Sequence, residues 1–117
     1  MRDELEQKLA RRWPDWFDVQ GFECDDGWFD ILWRLFTDLQ PLVEELDREN
    51  DRPFAVVRVQ EERGGLRVCV NDGTDDIYER IQAAEMDSHH VCEVCGEPGG
   101  RRQDGWIRTR CAEHAEE

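Results

Sequence analysis

The chain has 117 residues, a length that suits one domain with at most a small appendage. It carries 29 acidic against 15 basic residues, a net charge of −14, which repels nucleic acid and anionic membrane wherever no local patch reverses the field. No apolar run approaches the roughly 20 residues that cross a bilayer, and the charged start Met1-Arg2-Asp3-Glu4 has no apolar stretch behind it, so neither a spanning helix nor a secretion signal is expected.

A cytoplasmic protein is the expectation, and with it five cysteines kept as thiols or metal ligands and not as disulfides. Hydrophobic residues make up only 38%, but five Trp and five Phe each remove a large area from water, enough for a modest folded core.

Leu5 and Leu9 stand four apart with Trp13 next in the series, which predicts a short amphipathic helix over residues 2–12, ended by Pro14. Trp13, Trp16 and Phe17 then read as an aromatic lid over the core. Glu23-Cys24-Asp25-Asp26-Gly27 is a polar turn, and Asp25 or Asp26 can cap the helix that follows. From Trp28 the apolar positions 28, 29, 32, 35, 36, 39, 42, 43 and 46 form a long helical stripe. Pro41 lies inside it. It lacks an amide hydrogen and crowds the carbonyl four residues back, so a kink or restart is expected there. Residues 47–52 read as a charged connection stopped by Pro53.

Residues 54–60 are rich in β-branched side chains and read as a strand. Residues 66–70 read as a second, with Leu66, Val68 and Val70 on one face and Arg67 and Cys69 on the other. Between them Glu61-Glu62-Arg63-Gly64-Gly65 is a turn in which the glycines can take positive φ, so an antiparallel hairpin is predicted. After the turn Asn71-Asp72-Gly73, Thr74 can cap a helix with Asp75 and Asp76 in its first turn and Ile77, Ile81 and Ala84 on its inner face, running to about Asp87. Two strands cannot stand alone in water, so helices must cover them. The expected fold is α+β: an acidic domain over residues 1–88, helices packed on an antiparallel hairpin, with a zinc-ribbon-like segment over residues 89–117 packed on it.

That last segment carries the sharpest chemistry. Cys92-Glu93-Val94-Cys95-Gly96 places two thiolates two residues apart, able to grip one metal from a tight turn. Cys111-Ala112-Glu113-His114 supplies a second pair at the same separation. Fifteen residues lie between the pairs, within the range of zinc ribbons. Tetrahedral zinc takes four such ligands, so Cys92, Cys95, Cys111 and His114 are the expected set. His89 and His90 are rivals, but His114 mirrors the spacing of the first pair. Pro98-Gly99-Gly100 and Asp104-Gly105 are turn signals, and Trp106 to Arg110 can form a strand. Cys24 and Cys69 read as small buried apolar side chains. Four protein ligands leave no open position for water or substrate, which favours a structural zinc. No Ser-His-Asp set, phosphate-binding loop or His-Glu-x-x-His pair accompanies it, so an enzyme is not expected.

Arg101, Arg102, Arg108 and Arg110 give this segment a basic cluster. It still nets −2, and residues 1–88 net −12. The arginines could meet phosphates, as in a nucleic-acid-associated regulator. The preferred reading pairs them with the protein's own acidic helices.

Gly21-Phe22-Glu23-Cys24-Asp25-Asp26-Gly27-Trp28-Phe29, the strand start Gly65-Leu66-Arg67, and the Cys92 to His114 segment with Gly105-Trp106 together resemble a family of small, functionally uncharacterised proteins of bacteria and phages. The likeness spans roughly residues 20–114. Where the family has a basic and aromatic run before its Gly-Leu-Arg, this chain has Glu61-Glu62-Arg63-Gly64. The resemblance implies a shared fold and zinc site. Through its phage members it points to an inhibitor of a host defence complex, such as an anti-CRISPR protein, which small size and acidity fit. On that reading the partner is a protein with a basic surface, and neither nucleic acid nor membrane. Asp25, Asp26, Asp30, Asp72, Asp75 and Asp76, clustered at two turns beside helix starts, are the expected contacts.

Overall fold

In the computed structural model, which describes residues 1–102 and 105–115, the chain is α+β. Helix α1, Asp3–Arg12, buries Leu9 and ends where the Trp13 amide bonds the Leu9 carbonyl at 3.0 Å. Pro14 cannot continue it. Trp13 and Trp16 then fold back onto Phe36, with ring centroids 5.6 and 6.1 Å away, and Trp16 meets Phe54 at 5.1 Å. The aromatic lid is therefore packed and not displayed.

The expected cap at Asp25 or Asp26 is absent: neither carboxylate bonds an amide of the helix that follows. Asp26 instead accepts the Arg2 backbone amide at 2.8 Å and pairs with the Arg2 guanidinium at 2.9 Å, tying the start of α1 to the front loop. A single 3-10 turn, Asp26–Trp28, opens directly into α2, Phe29–Glu49.

Helix α2 runs through Pro41 without a restart. Proline deprives the Thr37 carbonyl of one donor, but its ring lies on the exposed side. Leu35, Phe36, Leu39, Val43 and Leu46 are buried on the other side, before and after it, and hold the helix to the core. Ile31, outside the expected stripe, is buried as well. The helix also takes in Asp47 to Glu49, so the charged connection begins only at Asn50. Asp47 then accepts the Phe54 amide at 3.1 Å and steers the chain into the sheet.

Strands β1, Val56–Glu62, and β2, Gly65–Val70, pair antiparallel. A bulge between Val56 and Arg58 leaves Val57 exposed and lets both Val56 and Val59 face the core. Glu62 pairs with Gly65, so the loop is the two residues Arg63 and Gly64, with φ of 53° and 83°. The positive-φ pair is thus one residue earlier than the two glycines suggest. Gly65 is a strand residue, and a Cβ there would lie 2.5 Å from His89 Nε2.

Both edges of the hairpin are covered. Residues 16–23 run beside β1, bridging parallel at Phe17–Val56 and Glu23–Gln60. On the β2 side the Leu66 amide bonds Ser88 Oγ at 2.9 Å, and the Val68 amide bonds a Glu85 carboxylate oxygen at 3.0 Å. Unpaired edge amides invite another strand, and these two are occupied. Ser88 and Glu85 belong to or adjoin α3, Asp75–Asp87, which Thr74 caps through the Ile77 amide at 3.3 Å. Ile77, Ile81 and Ala84 face inward as expected, and α3 packs on α2 and β2.

The core is therefore the α2 stripe meeting the valines of the hairpin and the inner face of α3. Leu35, 4% exposed, lies in it. Leu35→Ala should cost about 2–5 kcal/mol, the range for a truncated core leucine. Urea unfolding of the metal-loaded protein reads this directly, and an unchanged midpoint would place the stripe outside the cooperative core.

Candidate metal centre

After α3 a 3-10 turn, Ser88–His90, delivers the chain to the first ligand pair. Gly96, at φ 82°, bonds the Cys92 carbonyl at 2.9 Å, and the Cys92 amide bonds the Glu97 carbonyl at 2.8 Å. These bonds wrap a tight turn under the two sulfurs. Strands β3, Gly100–Arg102, and β4, Arg108–Arg110, form a second antiparallel hairpin. The predicted strand thus starts two residues late. β4 leads straight into Cys111 and a 3-10 turn, where the His114 amide bonds the Cys111 carbonyl at 3.2 Å.

Cys92, Cys95, Cys111 and His114 converge, their ligand atoms all within 4.8 Å of one another. Cys95 Sγ is 3.7 Å from Cys111 Sγ, and His114 Nδ1 is 3.2 Å from Cys111 Sγ and 3.8 Å from Cys92 Sγ. Sulfur at ~2.3 Å and nitrogen at about 2.0–2.1 Å from a tetrahedral ion stand roughly 3.5–3.8 Å apart. The four groups can hold a metal ion. His89 packs on Gly65 instead, and His90 is exposed with its carbonyl accepting the Gly99 amide at 2.9 Å. Neither joins the group.

A seam of contacts joins this centre to the front loop. The Gly27 amide bonds the Glu93 carbonyl at 2.7 Å, and Trp28, fully buried, donates its indole N–H to the Val91 carbonyl at 2.9 Å. Glu93 stands between the first two ligands and is 6% exposed. It accepts the Asp25 amide at 3.0 Å and the Arg110 guanidinium at 3.1 Å. Burial pushes its carboxyl upward, against the pull of those two donors. On the other flank Thr109 Oγ1 donates to the Gly64 carbonyl, and Arg101 donates to the Arg63 carbonyl at 2.7 Å, docking β3–β4 on the β1–β2 turn.

Three of the four arginines, Arg101, Arg108 and Arg110, are accordingly spent inside the chain or against it. Arg110 pairs with Glu93. Arg108 donates to the Trp106 and Ala115 carbonyls at 3.0 and 2.5 Å. Arg102 is half-buried. The expected pairing with acidic helices is not what occupies Arg101, Arg108 and Arg110; backbone carbonyl groups and one neighbouring carboxylate are, while Arg102 Nε is buried with no hydrogen-bond partner among the described residues.

Cys24 is buried as expected, its thiol pushed up to about 12 by burial and then by the Glu93 carboxylate. Cys69 is only half-buried on the outer face of β2.

The six predicted contact carboxylates separate into three kinds. Asp26 and Asp72 are engaged, the latter with the Gly73 amide at 2.8 Å and the Asn50 amide group at 3.0 Å. Asp30 lines a groove with Lys8, Arg11 and Arg12. Asp25, Asp75 and Asp76 are exposed, and their carboxylates make no hydrogen bond among the described residues.

No sequence signal pointed to Gly27 and Glu93 as structural partners, because the contact joins residues more than sixty positions apart. Trp106, expected in a strand and part of the family likeness, is 79% exposed at the rim of a cleft of about 350 Å³ that Glu23, Asp25, Glu61, Arg108 and Arg110 also line. No family model, no curated protein and no solved structure matches the chain.

Proposed function

We propose that this is a small acidic protein-binding module that carries one structural zinc and acts by covering a basic, nucleic-acid-binding surface of another protein. A phage-type inhibitor of host defence, such as an anti-CRISPR protein, is the concrete form of that reading. It works in the cytoplasm and catalyses no reaction of its own. Three thiolates and an imidazole whose ligand atoms lie within 4.8 Å of one another suit zinc better than the harder divalent ions. With four protein ligands in place the metal meets no partner.

The observation that carries the reading is unpaired charge. Residues 1–88 net −12, yet among the described residues only Asp26 and Glu62 of their carboxylates sit in an ion pair. Such a surface attracts a basic partner over a distance and repels nucleic acid. Trp106 adds an exposed aromatic beside Asp25 and Glu61, the kind of side chain that anchors protein interfaces. The rival nucleic-acid reading loses ground because Arg101, Arg108 and Arg110 are engaged within the chain.

The test uses a purified RNA-guided nuclease complex and a labelled DNA target. The protein should prevent DNA loading, more weakly as salt is raised. Asp25→Asn, Asp75→Asn and Asp76→Asn together should weaken the block about tenfold or more while the melting temperature moves little, since none of the three carboxylates makes a hydrogen bond among the described residues. Direct binding of the free protein to the DNA at physiological salt, abolished by Arg101→Ala and Arg102→Ala, would overturn the inhibitor reading.

A further inference from the structure

Against the acidic surface stands one locally basic face. Lys8, Arg11 and Arg12 occupy positions i, i+3 and i+4 on α1, and no carboxylate lies between Gln7 and Pro14. None of the three is in an ion pair among the described residues. Arg11 reaches only the Gln7 carbonyl, at 3.3 Å, and Arg12 bonds Gln40 and lies over the Trp13 ring. The Lys8 ammonium makes no hydrogen bond among the described residues. The cations flank a groove of about 630 Å³ whose floor is Phe29 and Trp33, with Asp30 as its one carboxylate. Phe29, from the α2 stripe, and Trp33, outside it, are both only half-buried, their rings 5.8 Å apart.

We propose that this groove docks an acidic amphipathic helix of a partner protein, one that lays an apolar side chain on Phe29 and Trp33 and sets carboxylates against Lys8, Arg11 and Arg12. Three features favour this occupant. Cations spaced three and four apart on one helix match carboxylates of the same spacing on another, because both follow the helical repeat. A half-buried aromatic floor between them takes an apolar anchor, as in other helix-in-groove contacts. The rest of the chain decides against polyanions. Nucleic acid or an anionic membrane extends far beyond three cations and would meet Asp3, Glu4, Glu6 and Asp15 on the same end of the molecule. A short helix presents its few charges only where the groove answers them. This surface is separate from Asp25, Asp75 and Asp76, so it stands whether or not the inhibitor reading does.

The probe is a fluorescein-labelled helical peptide of about 15 residues with Glu at i, i+3 and i+4 around one Leu. The zinc-loaded full chain should bind it saturably at low salt, and amide shifts should concentrate at Lys8, Arg11, Phe29 and Trp33. Lys8→Gln with Arg11→Gln changes two exposed side chains and should weaken binding about tenfold or more. Asp30→Asn, which removes the opposing carboxylate, should strengthen it. A peptide with Lys for Glu, or Ala for Leu, should not bind. Equal binding by the wild type and the Gln variant would overturn the proposal. So would no binding, or shifts at these residues produced by oligo-dT or phosphatidylglycerol vesicles but not by the peptide.

Discussion

Removing the metal should unfold the chain from Val91 onward and release the front loop with it. A structural zinc contributes ~10–16 kcal/mol in small peptides. A whole domain is stable by only about 5–15 kcal/mol, so no apolar core of ordinary size replaces it. Here the segment has almost no core: among its described residues only Cys92, Glu93, Thr109 and Cys111 are buried. Two are ligands, one is a carboxylate and one a hydroxyl. Once the ligand pairs part, the Glu93 and Val91 carbonyls no longer hold Gly27 and Trp28. The α2, α3 and β1–β2 body has its own core and should keep its helical signal. Chelation, or Cys92→Ser, should therefore erase the near-ultraviolet signal of Trp28 and the hydrogen-exchange protection of residues 91–114, while most far-ultraviolet ellipticity remains. Metal analysis of the native chain should give one zinc, unchanged by His90→Ala and lowered by His114→Ala. Full protection of residues 91–114 after chelation would show that the segment stands without metal.

The sequence made the local elements plain and hid the long-range ones. The α2 stripe was readable because six core side chains, Leu32, Leu35, Phe36, Leu39, Val43 and Leu46, repeat at the helical period, and the Thr74 cap because an acceptor, an acidic first turn and an apolar face follow one another. The ligand set was readable for the same reason: two ligands two residues apart are a local pattern with a chemical purpose. Asp26 misled, because a carboxylate before a helix can cap that helix or any other amide within reach, and the Arg2 amide is 24 positions away. Pro41 misled because its penalty is one missing bond, while burial on the opposite face acts along the whole helix. The turn slipped by one residue because two adjacent glycines look alike. One of them is required by backbone conformation, the other by the His89 ring.

Gly27→Ala should be among the most damaging single changes available, although its backbone is not in the left-handed region that favours glycine. The requirement is space. A Cβ built there would overlap the carbonyl oxygens of Cys92 and Glu93 and lie 2.5 Å from the Glu93 carbonyl carbon. These are backbone atoms, held in place by the metal turn on one side, and no rotamer change can move them aside. The Gly27 carbonyl is also close to Gly96, where a Cβ would come within 3.1 Å of it, so the two glycines let two turns meet backbone to backbone. To admit the methyl group the turns must separate. That breaks the Gly27–Glu93 bond and strains the Trp28 and Asp25 bonds beside it. Overpacking of this kind costs about 1–3 kcal/mol where side chains can yield, and more where they cannot; about 3 kcal/mol or above is expected here. The zinc affinity should fall with it, because the seam and the ligand turn share Cys92 and Glu93. Gly100→Ala, where an added Cβ meets nothing within 4 Å and φ is not positive, serves as the comparison for a glycine outside the seam. If Gly27→Ala keeps the native melting temperature and zinc affinity, the front loop and the metal turn are not in contact, and the seam described above is wrong.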